Sequence, residues 1–178
     1  MRYFVRTLVG LSAAAMLAAL AATGLSAQAE AKKQAPPAAE KKQAAPTAKH
    51  VMIAAEEIKW APAPPGLPPG AEAAVLDGDP TKPGQFTLRI KAPDGYMVSP
   101  HSHPMDEHLV ILSGAMMVGT GTKWDDAGMH TLAAGAYAKM PRRVNHFVKM
   151  KGETTFQVSA MGPFAITYVD PKDDPRKK

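Results

Sequence analysis

The feature that most constrains this chain is the stretch GYMVSPHSHPMDEHLVILSG, from Gly95 to Gly114. It places His101 and His103 one residue apart, and Glu107 follows after a gap of three residues. Prolines on both sides of the histidine pair disfavour a helix, and an extended backbone points alternate side chains to the same face. Two imidazoles with a carboxylate nearby are donors that divalent transition metals bind. The stretch therefore predicts part of a metal site on a strand; a pair of solvated surface histidines is the alternative.

Composition limits the chemistry that this chain can perform. Its 178 residues are enough for one domain with a substantial core. Cysteine is absent, which excludes disulfides, thiolate metal sites and a cysteine nucleophile. The net charge of +5 comes from the first 50 residues, because residues 51–178 hold equal numbers of acidic and basic side chains. The basic balance is therefore no evidence for a nucleic-acid surface, and we expect no nucleic-acid partner.

Residues 1–29 have the pattern of a secretory signal peptide. Two arginines precede an apolar run over residues 8–22, and the Ala-Gln-Ala triplet at 27–29 fits a cleavage site before Glu30. The apolar run is short for a membrane span, so removal is expected, with retention as an anchor as the alternative. We therefore expect a periplasmic or secreted protein that has no stable membrane anchor after cleavage.

Polar segments flank the expected domain on both sides. Residues 30–50 are rich in Ala, Lys, Gln and Pro, and their low hydrophobicity cannot support a core. They predict a disordered linker. Residues 171–178 are a charged C-terminal tail that we expect to fray. The folded domain is expected over residues 51–170.

Short apolar runs separated by turn signals fill residues 51–170, and helical periodicity is not evident. Phe86, Leu88 and Ile90 alternate with polar residues, which indicates a half-buried strand. The proline-rich segment at 61–70 predicts irregular structure. The pattern as a whole predicts an all-β sandwich or barrel. The expected strands lie at 51–60, 73–76, 85–91, 96–103, 107–113, 115–120, 129–132, 136–140, 145–150, 154–161 and 164–169.

Two motifs resemble those of the cupin superfamily. Gly95, His101, His103, Glu107 and Gly114 match every fixed position of the first cupin motif, glycine-x5-HxH-x3-glutamate-x6-glycine. Five fixed positions that include two histidines are rarely met by chance in a chain of this length. The LPPG and PFAITYV segments also resemble those of small single-domain bacterial cupins.

The second cupin motif, glycine-x5-proline-x-glycine-x2-histidine-x3-asparagine, is matched in part. Gly135, Pro141 and His146 stand at its positions, whereas Arg143 replaces the inner glycine and Met150 replaces the asparagine. Neither replaced position is a metal ligand in the family. The departures therefore question the geometry of the turn more than the metal site.

The resemblance implies an antiparallel jelly-roll barrel, also called a double-stranded β-helix, over residues 51–170. It implies that His101, His103, Glu107 and His146 converge inside the barrel on one divalent transition metal. Fe, Mn, Zn, Ni, Co and Cu all suit three imidazoles and a carboxylate. Jelly-roll cupins are often dimers, so a homodimer is also implied.

His108 is the one competitor for a ligand position in the first motif. If the gap after the histidine pair were four residues, His108 would replace Glu107 as ligand. Glu107 is preferred because it keeps the six-residue spacing to Gly114 and leaves Leu109 and Ile111 on the interior face. His108 is then expected to face outward.

Other polar residues near the motifs have two interpretations each. Asp106 is either a hydrogen-bond partner of a ligand imidazole or a turn residue. Arg142 and Arg143 either bind an anionic substrate or extend into solvent. His130 is expected on the surface or in packing.

The predicted function is that of an exported metal-binding cupin that binds or acts on a small organic molecule, as an oxygenase- or isomerase-type enzyme. A six-coordinate ion with four protein ligands keeps two positions for water or substrate. The first alternative is a non-catalytic metal-containing module for ligand binding or sensing. The second is a cupin whose metal only stabilises the barrel. The sequence assigns no catalytic side chain and no organic cofactor.

Overall fold

The structure is a computed structural model that describes residues 50–178. The predicted signal peptide, and the predicted linker except for its last residue, His50, lie outside the described residues. Within residues 50–178, the chain contains no helix that is long and apolar enough to cross a membrane.

Strands dominate the described part of the chain, and they form one antiparallel nine-stranded sheet that curls on itself. The helical elements in residues 50–178 are short 3-10 turns, at Ala55–Glu57, Asp126–Gly128, Pro171–Asp173 and Pro175–Lys177. The strands are β1 (Ala61–Pro62), β2 (Glu72–Asp77), β3 (Gly84–Ala92), β4 (Met97–Ser102), β5 (Glu107–Thr120), β6 (His130–Ala133), β7 (Tyr137–Met140), β8 (His146–Gly162) and β9 (Thr167–Tyr168).

Two long strands, β5 and β8, organise the sheet by pairing with each other along most of their length. The second part of β8 also pairs with β3, and its first part pairs with β4. The first part of β5 pairs with β7, and its second part pairs with β6. Each long strand therefore belongs to both halves of the curled sheet, as a jelly roll requires.

The bend in β5 lies at Gly114, where the pairing with β8 shifts register. Gly114 has a φ of +71°, and a β-carbon there would collide with the main chain at Glu153 and Thr154. The Thr154 hydroxyl, which is fully buried, donates to the Ala115 carbonyl at 2.9 Å and accepts from the Ala115 N–H at 3.2 Å. A side-chain hydroxyl thus satisfies backbone groups that the bulge takes out of the ladder.

The core fills the inside of the curl. Phe86, Leu88 and Ile90 on β3 are buried, whereas the residues between them face outward, as the alternation predicted. Met150, which replaces the motif asparagine, is also buried in this core. The antiparallel all-β jelly roll predicted from the sequence is confirmed.

Several predicted element boundaries were wrong. The strand expected at 51–60 does not form; a 3-10 turn over Ala55–Glu57 interrupts it, and the Glu57 carboxylate accepts from the Ala54 N–H at 2.9 Å. The strands expected on either side of Gly114 are one strand, and so are those on either side of Gly152, because these glycines make bends within paired strands rather than turns between strands. The strand expected at 164–169 is reduced to β9.

The C-terminal tail is ordered, which corrects the expectation that it frays. Its two 3-10 turns begin with prolines and are capped by Asp170 and Asp174. Arg176 pairs with Asp174 at 2.7 Å and donates to the Ile166 carbonyl at 3.0 Å. The guanidinium therefore ties the tail to the segment that precedes β9.

Candidate metal centre

The sheet brings the two motifs together at one end of the barrel interior. His101 lies on β4 directly opposite His146, the first residue of β8. Glu107 begins β5, and His103 follows the end of β4. All four side chains are buried, with exposed fractions between 2 and 6%. Antiparallel pairing therefore places residues that are more than 40 positions apart in sequence on one surface.

The three histidines lie close enough to bind one metal ion. One ligand nitrogen from each of His101, His103 and His146 lies within 4.8 Å of the others. A carboxylate oxygen of Glu107 lies 3.5 Å from Nε2 of His103 and 3.8 Å from Nε2 of His146. All four residues named from the two motifs therefore meet in one cluster.

Backbone carbonyls fix the orientation of all three imidazoles. A carbonyl oxygen only accepts, so each Nδ1 bonded to one carries the hydrogen, and each Nε2 keeps its free lone pair. Second partners of this kind orient the imidazoles in metal sites of proteins. The pairs are His101 Nδ1 with Ser99 O at 2.7 Å, His103 Nδ1 with Ala165 O at 2.8 Å, and His146 Nδ1 with Val144 O at 3.2 Å.

Burial controls the charge of the cluster. Burial, together with the nearby rings of His146 and His103, lowers the pKa of His101 to about 2. Burial also lowers the pKa of His103 to about 4 and that of His146 below its usual range. It raises the pKa of Glu107 to about 7. Neutral imidazoles with free Nε2 lone pairs are the form that binds metal, and a cation among them would compensate the Glu107 carboxylate. The donor set therefore fits a divalent transition metal.

Glu107 and His108 point in opposite directions from β5. The Glu107 carboxyl faces the cluster, whereas His108 is exposed on the outer face and its Nδ1 is 2.7 Å from the Tyr137 hydroxyl. His130, at the start of β6, is also exposed.

The remaining polar candidates hold turns together instead of contacting the imidazoles. Asp106 accepts from the Arg142 backbone N–H at 2.8 Å and pairs with Lys139 at 2.7 Å. Both Arg142 and Arg143 are exposed. Arg143 has a φ of +62°, so it adopts the conformation that the motif glycine would take, and its N–H donates to the His103 carbonyl at 2.8 Å. The turn geometry is kept despite the substitution, at a cost of about 1–2 kcal/mol.

The cavity beside the cluster is small and mainly apolar. It has about 40 Å³ of free space. Phe164 stacks on His103 with ring centroids 4.8 Å apart, and the ring centroid of Tyr168 lies 5.8 Å from that of His101. Sequence reasoning assigned no role to these two rings or to Leu67, which also lines the cavity; the only signal was the likeness of the LPPG and PFAITYV segments to small cupins. The apolar lining consists of Leu67, Ile90, Tyr96, Val98, Leu109, Met116, Val148, Phe156 and Phe164.

Comparison with known proteins assigns the family. A family model described as a domain of unknown function (DUF4437) matches residues 26–167. The chain belongs to the DUF4437 family. This DUF4437 match includes both histidine motifs. No curated protein matches the sequence.

Solved structures similar to this DUF4437 protein include a cupin-superfamily member. The polyketide cyclase RemF from Streptomyces resistomycificus has a TM-score of 0.59 at 17% identity, over 72% of this chain and 92% of RemF. A candidate acetylacetone dioxygenase from Methylibium petroleiphilum PM1 has a TM-score of 0.58 at 22% identity, over 75% of this chain and 90% of the dioxygenase chain. A cupin-superfamily sugar phosphate isomerase from Silicibacter pomeroyi DSS-3 has a TM-score of 0.51 at 17% identity, over 66% of this chain and 80% of the isomerase chain. The predicted cupin fold is confirmed, and at these identities the likeness establishes the fold alone.

Proposed function

We propose that this DUF4437 cupin binds one divalent transition metal through His101, His103, Glu107 and His146, and presents it to a small organic molecule as an oxygenase- or isomerase-type enzyme. The observation that supports the proposal is the convergence of three buried imidazoles whose Nδ1 atoms are all engaged by backbone carbonyls. Nitrogen donors with one carboxylate suit Fe, Mn, Co, Ni, Cu or Zn, whereas Mg²⁺ and Ca²⁺ prefer all-oxygen sites.

The chain's own residues would position the metal and shield it. The backbone carbonyls hold the imidazole planes, and the apolar lining excludes bulk water. Glu107, whose pKa burial raises to about 7, can hold or release a proton near neutral pH in the metal-free site. A metal bound there supplies Lewis acidity that polarises a carbonyl oxygen.

The printed names of the similar structures support a small organic ligand. They describe a cyclase, a candidate dioxygenase and an isomerase. Each name applies to that protein, and the three activities differ, so they indicate an organic ligand without choosing a reaction. The apolar cavity of this chain is consistent with such a ligand.

Metal analysis of purified protein tests the first part of the proposal. His101→Ala and His146→Ala are expected to lower the metal content severely, because each removes one donor of the cluster. The matched control is His130→Ala, which removes an exposed histidine that belongs to neither motif and should leave the metal content unchanged. Unchanged metal in both His101→Ala and His146→Ala would refute the assignment.

The alternative is a non-catalytic, metal-containing module for ligand binding or sensing. Both functions need an organic ligand to reach the metal, and the free volume of about 40 Å³ limits both equally, because small-molecule sites usually offer about 300–1,000 Å³. Oxygen uptake and product analysis of the metal-loaded protein with catechols, diketones and small acids separate the two. Turnover with any of these supports the enzyme; metal-dependent binding without turnover supports the module.

We also propose export to the periplasm or the medium. The leader pattern supports it, as does the start of the family match at residue 26, near the predicted cleavage site. The mass of the protein recovered from its native compartment tests the proposal, since cleavage as predicted gives a mature chain that begins at Glu30. The homodimer, the lack of a nucleic-acid partner and the lack of a membrane anchor after cleavage stay predictions; light scattering of the mature chain tests the first.

A further inference from the structure

We infer that residues 63–70, here called the strap, cover the metal cavity and that Leu67 at the centre of the strap limits the size of the ligand that reaches the metal. The inference rests on the proposed metal function and adds a specificity-determining residue to it. It starts from the position of Leu67, which lines the same cavity as the imidazole cluster and, like Gly66 and Pro68 beside it, is half-buried.

Two buried tyrosines hold the strap on either side of Leu67. The Tyr168 hydroxyl donates to the Gly66 carbonyl at 2.9 Å, and the Tyr96 hydroxyl donates to the Pro68 carbonyl at 2.7 Å. The two rings are only 7 and 8% exposed. Each hydroxyl therefore anchors one carbonyl next to Leu67, and together they hold its side chain over the cavity.

Besides the two tyrosine hydrogen bonds, the strap is tied at its base, where the Ala63 N–H donates to the Ala71 carbonyl at 3.0 Å. Four prolines remove backbone donors, and the Leu67 N–H bonds within the strap to the Pro64 carbonyl at 2.9 Å. A β-carbon at Gly66 would lie 2.8 Å from Ile166 Cγ2, so the strap rests closely on the segment before β9. Breaking the two tyrosine hydrogen bonds would thus free the strap without breaking the pairing of β4, β5 and β8.

The other apolar walls of the cavity are fixed more firmly. Most of them lie on paired strands, where a backbone ladder holds each position. Phe164 is packed between His103 and Phe86, whose ring centroid lies 5.4 Å away. Leu67 is thus the large apolar wall residue that can move at the least cost.

The free volume of the cavity determines whether a ligand can enter without movement of the Leu67 side chain. Small-molecule sites usually offer about 300–1,000 Å³, so about 40 Å³ leaves no room for a ligand of ordinary size beside a metal. A ligand with more than a few atoms requires the Leu67 side chain to withdraw. The side chain at position 67 therefore discriminates ligands by size.

Two chelators that share a head group test this discrimination. The mature protein is loaded with Co²⁺, and its visible spectrum is titrated with acetohydroxamate and with benzohydroxamate, which differ by a methyl or a phenyl substituent. Leu67→Ala should raise the affinity for benzohydroxamate relative to acetohydroxamate by about tenfold or more, because the cavity gains the volume of the missing side chain. Leu132→Ala is the matched control: it also truncates a half-buried leucine, but on β6 and outside the cavity lining.

A second variant keeps Leu67 and releases the strap. Tyr96→Phe/Tyr168→Phe removes both hydroxyls and leaves both rings in place. Stopped-flow mixing should show a several-fold faster entry of benzohydroxamate, since the two hydrogen bonds no longer hold the strap closed.

The outcomes separate the two proposals. If wild-type protein does not bind Co²⁺, the proposed function fails and the strap inference fails with it. If Co²⁺ binds but the ratio of the two hydroxamate affinities is the same in wild type and Leu67→Ala, the metal site stands and the strap inference is overturned. An unchanged rate of benzohydroxamate entry in the double tyrosine variant also overturns it.

Discussion

The two sides of the cavity beside the imidazole cluster are built by different means. On one side is the ligand wall, formed by β4, β5 and the start of β8, where strand pairing fixes the backbone of His101, Glu107 and His146. His103 lies just beyond β4, and its carbonyl accepts from the Arg143 N–H at 2.8 Å. On the other side is the strap, which two tyrosine hydroxyls hold. The paired strands of the ligand wall therefore position the donors, whereas the strap can move without breaking that pairing.

The largest expected effect comes from a change at the bend of the ligand wall. Gly114→Ala should lower the free energy of unfolding by about 3 kcal/mol or more, because the new β-carbon meets both a positive φ and the main chain of β8. Gly95→Ala is the matched control, because Gly95 has the same φ of +71° and no atom within 4 Å of an added β-carbon. It should cost about 1 kcal/mol. Equal losses in urea unfolding would show that the close approach at Gly114 does not matter.

The stability of the metal-free protein should depend on pH through the buried imidazoles and the buried carboxyl group of the ligand wall. The imidazoles of His101 and His103 have pKa values of about 2 and 4, so below about pH 6.5 the unfolded chain takes up protons first and stability falls. Glu107 acts in the opposite direction, since its pKa of about 7 lets the folded form take up its proton first as the pH falls from 7 towards 4.5. The lowered pKa of His146 adds to the loss of stability that His101 and His103 cause as the pH falls.

The net expectation is that the melting temperature of chelator-treated protein decreases between pH 7 and 5. Glu107→Gln should make the decrease steeper, because it removes the opposing carboxyl group. His130→Gln, which replaces an exposed histidine outside the cluster, is the control and should keep the wild-type profile. A melting temperature that rises towards pH 5 in wild-type protein would contradict the argument.

A smaller effect is expected in the strap. Tyr168→Phe should lower the free energy of unfolding by about 1 kcal/mol, since one buried hydroxyl and the Gly66 carbonyl lose their hydrogen bond. Tyr137→Phe removes the hydroxyl of an exposed tyrosine and should cost less, within about 0.5 kcal/mol. If Tyr168→Phe destabilised the protein as much as Gly114→Ala, the strap would be part of the same cooperative unit as the ligand wall.

The smallest effect is expected at the turn that leads into His146, and it has the opposite sign. Arg143→Gly should change the free energy of unfolding by between 0 and about +1 kcal/mol, because relief of the positive φ exceeds or balances the greater freedom of glycine in the unfolded chain. Arg143→Val should destabilise, since a β-branched residue tolerates a φ of +62° poorly. A destabilised Arg143→Gly would show that the arginine side chain contributes to the turn.

The sequence predicted the cluster well because its information is local and periodic. Alternation along one strand was enough to place Glu107 inside and His108 outside, and the resemblance to the two cupin motifs implied the four residues that the sheet brings together. The replacement of the motif glycine by Arg143 did not disturb the turn, because a non-glycine residue can adopt the same backbone conformation at a small cost.

The rest of the cavity could not be predicted, because it depends on contacts between distant parts of the chain. Tyr168 and Gly66 are 102 residues apart, and neither lies in a pattern that identifies the other. Gly114 and Gly152 have the local features of turns, yet pairing over the whole length of β5 and β8 makes them bends within strands. Arg176 similarly orders a tail whose composition alone predicts fraying.

The backbone carbonyls that hold the imidazoles have a consequence for how this scaffold can diverge. A main-chain oxygen at Ser99, Val144 or Ala165 persists whatever side chain that position carries, so no single substitution deletes the acceptor. Related chains that keep the histidines can therefore inherit the same ring orientation through extensive mutation. Substitutions at positions such as Leu67 can then change which molecules enter the cavity. The backbone carbonyls meanwhile keep the imidazole nitrogens in the same orientation.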